Sequence, residues 1–120
     1  MNVTAAQGAL TLEPVRSRVR AVVDGVTIAD SQQVINLLER SYRPVFYFPL
    51  SDVRRDLLMP TAHTSVCGLK GEANYYSIRL ESGRVIDNAV WQYAHPKQGL
   101  SELADRVAFY SHFVEFVVGG

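Results

Sequence analysis

The chain has 120 residues, 48% of them hydrophobic and 20% charged, which is the composition of one ordinary folded domain. Twelve basic and twelve acidic side chains cancel, which argues against a protein that holds nucleic acid mainly by charge. The apolar runs are too short for a membrane-spanning helix, residues 1–10 lack the basic-then-apolar order of a secretory leader, and one cysteine excludes an internal disulfide or a multi-cysteine zinc site. The expectation is a cytoplasmic domain with no membrane and no nucleic-acid partner.

Residues 1–14 lack periodicity and contain Gly8 and Pro14, so they read as a loose tail before a single β-rich domain over residues 15–118. Val15, Ser17, Val19, Ala21 and Val23 alternate with Arg16, Arg18 and Arg20. That period of two predicts a strand with one apolar and one basic face. Asp24-Gly25 is a hairpin signal, since both turn positions need positive φ, and residues 26–29 pair back. Residues 31–39 fit a helix capped by Ser31 or a strand; β neighbours on both sides favour the strand. Val45-Phe46-Tyr47-Phe48, bounded by Pro44 and Pro49, is an aromatic and β-branched strand.

Ser51-Asp52-Val53-Arg54 predicts a capped helical turn, and Met59-Pro60 opens a polar loop that leads to Thr64. Residues 74–80 and 84–93 read as strands joined by Glu81-Ser82-Gly83, with an irregularity near Asp87-Asn88. His95-Pro96 begins a loop, Ser101 opens a helical turn, and residues 107–110 and 114–118 form the last strands. The pattern predicts a mainly β fold of about eight mostly antiparallel strands, spaced as in a sandwich, barrel or rolled sheet, with one or two short helical turns.

The stretch Thr64-Ser65-Val66-Cys67-Gly68-Leu69-Lys70-Gly71 is the most distinctive. Glycines at 68 and 71 permit close backbone approach, successive N–H groups can cradle an anion, Lys70 adds charge, and a thiol beside an ammonium is a more reactive nucleophile. The same residues also suit a plain glycine turn with an exposed lysine and an inert cysteine. The spacing does not match the phosphate-binding Gly-x-x-x-x-Gly-Lys pattern. Asp30 and Glu39 close neighbouring apolar segments and would suit acid–base work if they faced one cavity; otherwise they are a turn acid and a solvated acid. His63, His95 and His112 are scattered without metal-ligand spacing. His63 stands four residues before Cys67, but no third group orients the pair. Tyr75 and Tyr76 must point to opposite sides of a strand, as must Phe109 and Tyr110. The ladder Arg16, Arg18, Arg20 would either meet phosphate or pair with acids across the sheet.

Taken in order, Ala29-Asp30-Ser31, Leu38-Glu39, Tyr47-Phe48-Pro49, Asp52-Val53, Thr64, Cys67-Gly68-Leu69-Lys70-Gly71-Glu72-Ala73, Tyr75-Tyr76, Asp87, Trp91, Tyr93, Pro96 and Ala108-Phe109-Tyr110 resemble the signature of the domain-of-unknown-function 427 family over about residues 15–118. Gly68-Leu69 stand where that family usually has proline and an aromatic. The resemblance implies a β-tent-like rolled sheet. Relatives of that fold carry zinc on paired Cys-x-x-Cys motifs, which a chain with one cysteine cannot supply. A nucleotidyltransferase label sometimes given to the family finds no triphosphate loop or paired metal-binding aspartates here.

These readings converge on a pocket for a small polar or anionic ligand. Its expected lining is Asp30, Glu39, Tyr47, Thr64, Cys67, Lys70, Tyr76, Trp91 and Tyr93. Lys70 and the backbone of Gly68 and Gly71 would hold the anionic group, and the catalytic candidates, if there is a reaction, are Cys67, Asp30 and Glu39. No cofactor and no metal is called for. The alternative is a non-catalytic interaction domain that forms a homodimer, with residues 114–118 as an edge strand able to pair with its twin.

Overall fold

The computed structural model describes residues 10–40 and 42–120. Period-two sequences there form ten strands: β1 (Leu10–Pro14), β2 (Val19–Val23), β3 (Val26–Ser31), β4 (Ile35–Glu39), β5 (Val45–Pro49), β6 (Leu58–Cys67), β7 (Gly71–Arg79), β8 (Val85–Gln92), β9 (Arg106–Phe109) and β10 (Glu115–Val118). A seven-stranded sheet has the order β1-β4-β5-β9-β8-β7-β6, and a three-stranded sheet has the order β10-β2-β3. All pairings are antiparallel. Three single 3-10 turns, Leu50–Asp52, Arg55–Leu57 and Ser101–Leu103, complete the elements.

The mainly β, antiparallel architecture is as the sequence predicts, with ten strands in place of about eight. The two additions are both edge strands. Leu10–Pro14, assigned to the tail, pairs with Ile35–Glu39 and sets Leu12 opposite Leu37; residues 1–9 lie outside the described residues. Leu58–Cys67, whose first half reads as a polar loop, pairs along β7 with a bulge between Pro60 and Thr64. An edge strand needs only one satisfied side, so polar residues and proline are tolerated there. The arginine ladder also changes. β2 starts at Val19, so Arg16 and Arg18 precede the strand, and Arg18 reaches Asp30, the residue directly opposite Arg20.

The local signals hold at the turns. Asp24 and Gly25 have φ of 50° and 78°, both in the left-handed region that this hairpin demands. Asn88 has φ of 49° beside a register shift in β7–β8, and its N–H donates to Ser77 Oγ at 3.0 Å.

Alternation sorts neighbours into two cores. Phe48, Val90, Val107 and Phe109 join Val19, Ala21 and Ile28 in the layer between the sheets, where Phe48 meets Phe109 edge-to-face at 5.4 Å. Tyr47, Ala73, Tyr75, Tyr93 and Ala108 pack with Leu37, Leu100 and Leu103 in a second cluster. That second face of the large sheet is rich in phenols, and it holds the candidate site.

Candidate functional site

The site starts at the turn between β6 and β7. Lys70 N–H donates to the Cys67 carbonyl at 3.2 Å, and Cys67 faces Gly71 across the ladder. Gly71 has φ of +116°, and a Cβ there would stand 3.2 Å from the carbonyl oxygen of His95. The loop after β8 is stitched to the same turn by Lys97 N–H donating to Lys70 O at 3.0 Å. Glycine is therefore required at 71 by both conformation and space. Gly68 has open space around it and no positive φ.

This turn aims Lys70 at Glu39. Nζ lies 2.9 Å from Oε1, with side-chain exposures of 15% and 18%. Glu39 is on β4 and Lys70 begins at the head of β7, four strands away in the sheet order. On a flat sheet four steps span roughly 19 Å. The contact therefore requires the large sheet to curl, bringing its two ends together over the phenol face.

Between them lie the rings. Trp91 Nε1 donates to Tyr47 Oη at 3.2 Å, and Trp91 packs against Tyr110 with centroids 4.6 Å apart. Tyr75 Oη and Ser65 Oγ share a hydrogen bond of 2.8 Å, and the His63 ring lies 4.5 Å from that of Tyr75. Burial pushes the Tyr47 phenol well above its ordinary value, and the neighbouring Tyr93, Cys67 and Glu39 push the same way against the indole hydrogen bond. Burial raises Tyr93 to about 12, with Cys67, Tyr75 and Glu39 adding to it. Tyr110 is raised too, by burial and then by its hydrogen bond with Tyr75. These three phenols are neutral at physiological pH. Tyr47 already accepts the indole hydrogen, so its own proton is available to donate.

The structure places Glu39, Tyr47, Cys67, Lys70, Trp91 and Tyr93 near one another, and Gly71 shapes the turn that holds Lys70. Asp30 does not join them. It sits on β3 in the other sheet, where Arg18 Nε donates to Oδ1 at 2.7 Å; that contact holds the Asp30 carboxyl below the usual range. The two acids therefore have separate partners and form no dyad. Tyr76 points to the opposite face and donates to Gln92 Oε1 at 2.9 Å. Thr64 is exposed on β6. His63 packs on Tyr75; four extended residues span roughly 13 Å, too far for it to activate Cys67. Tyr75, Tyr110 and Ser65 lie at the site but outside the lining expected from the sequence. A signal for Tyr75 existed: once Cys67 pairs with Gly71, parity puts residues 71, 73 and 75 on the face of Cys67.

Among the described residues, no three His, Cys, Asp or Glu side chains are grouped to hold a metal ion, and no helix is long and apolar enough to cross a membrane. A family model described as a domain of unknown function (DUF427) matches residues 11–120. The chain belongs to the DUF427 family. No curated protein matches it. In this DUF427 chain the run Cys67–Gly71 is the turn that delivers Lys70 to Glu39, and the separated residues Tyr47, Tyr75, Trp91 and Tyr93 are neighbours on the curled face.

Proposed function

We propose that the chain binds a small polar or anionic ligand on the phenol-lined face, at the Lys70–Glu39 pair. The supporting observation is that pair itself, an ammonium and a carboxylate at 2.9 Å with little exposure, beside phenols that stay protonated. Desolvating two charges is unfavourable unless they are well partnered, and apolar residues would strap the sheet equally well. The ammonium has three hydrogens and Glu39 takes one. A ligand oxygen would accept from the others and from the Tyr47 hydroxyl, and the indole of Trp91 would cover its apolar part.

The test is a thermal-shift screen of a metabolite library on wild type, Lys70→Met and Tyr47→Phe. A true ligand at about 100 times its Kd adds about 2.7 kcal/mol to wild type and much less to either variant. If every compound that stabilises wild type stabilises both variants equally, the reading fails.

A second reading is self-association. β10 is an outer strand of the three-stranded sheet, with Val118 54% exposed, so two copies could pair along it. Sedimentation velocity decides: a monomer at all concentrations removes it, and a dimer that Val118→Lys dissociates supports it.

A further inference from the structure

We infer that a second site, an aromatic cleft at one end of the two sheets, binds a small planar aromatic anion. The cleft has a volume of about 310 Å³ and is lined by Arg43, Phe46, Trp91, Tyr110, His112 and Phe116 among others. It meets the phenol face at Trp91 and Tyr110 and involves neither Lys70 nor Glu39.

Three observations carry the inference. The first is the ring content. Phe46 and Phe116 meet edge-to-face at 5.4 Å, and Trp91 and Tyr110 meet at 4.6 Å, so two ring pairs line one hollow. Aromatic walls favour a flat, polarisable guest that can stack or meet them edge-on. The second is size. The volume lies at the small end of ligand pockets, which span roughly 300–1,000 Å³, so one or two fused rings fit and a larger cofactor does not. The third is charge. Arg43 and His112 line the cleft and no aspartate or glutamate does; among the described residues Arg43 has no salt-bridge partner. A guanidinium is a planar fork suited to a carboxylate or phosphate. Mostly apolar walls with few polar groups at set positions are the general form of a small-molecule site.

Trp91 is the only tryptophan, so its fluorescence reports occupancy directly. Naphthoate and naphthyl phosphate are the probes. Naphthalenemethanol lacks the charge, and cyclohexanecarboxylate lacks the ring. We expect saturable quenching of Trp91 by at least one of the two anionic probes, weaker binding of naphthalenemethanol by about tenfold, and no response to cyclohexanecarboxylate. Arg43 is exposed, so Arg43→Gln should fold normally, with an unchanged melting temperature and about tenfold lower affinity. The tighter of the two anionic probes names the head group. The inference is overturned if neither anion gives saturable quenching, if the neutral probe binds as well, if cyclohexanecarboxylate binds as well as the aromatic anions, or if Arg43→Gln keeps full affinity. Quenching lost in Lys70→Met and retained in Arg43→Gln would move the guest to the phenol face and also overturn it. Loss of the Lys70-dependent thermal shifts leaves this site unaffected.

Discussion

Gly68 and Gly71 look alike in the sequence and differ in the fold. Gly71 holds a φ of +116° with a carbonyl oxygen where a Cβ would press. Gly71→Ala should therefore destabilise by about 1–3 kcal/mol. Gly68 is unconstrained, and Gly68→Ala should be neutral or stabilising by about 0.4–1 kcal/mol, through a less flexible unfolded chain. Urea unfolding of both variants checks this; equal losses would show that the strain is not confined to Gly71. The tyrosine pair at 75 and 76 was legible to the same degree. Alternation says the two rings part, and only the hairpin register says which one meets Cys67. Tyr76 was the wrong member because a parity without a register has no sign.

At the scale of elements, Lys70–Glu39 ties β4 to the head of β7 across the curl. Removing one partner leaves a largely buried charge without its counterion. Lys70→Met or Glu39→Gln alone should each destabilise by about 1–3 kcal/mol, and the double replacement should fall short of their sum. A double-mutant cycle by chemical denaturation measures the coupling; strict additivity would mean that the contact contributes nothing. Strand existence was readable where alternation is long or the apolar content high, as in β5 and β8. β1 and β6 were missed because edge strands are stabilised by a partner's backbone and leave a weak mark in their own residues. β6 alone carries Pro60, a bulge and the exposed Val66, all compatible with an edge and none diagnostic of a strand.

For the whole molecule, the raised phenols make a pH prediction. Tyr47 and Tyr93 both ionise at higher pH folded than unfolded. Their neutral forms are thus favoured by the fold, and that contribution is complete below the ordinary phenol pKa of about 10. It is lost as pH rises from there through the folded value, about 12 for Tyr93. Melting temperature should be insensitive to these groups at neutral pH and fall in strongly alkaline solution, less steeply in Tyr93→Phe. Phenolate absorbance should include a late component, from Tyr93 with Tyr47, above the ordinary phenol range. A single transition near the ordinary value would refute it.

The sequence by itself determined the class of fold, the hairpin at Asp24-Gly25 and the irregularity at Asp87-Asn88, because alternation and positive φ are properties of neighbouring residues. Family membership was legible for the same reason, as an ordered string of short local motifs. The tertiary structure alone decided that Glu39 meets Lys70 while Asp30 goes to Arg18. Which acid reaches which base depends on sheet order and on how far the sheet curls, and both are set by packing between residues tens of positions apart.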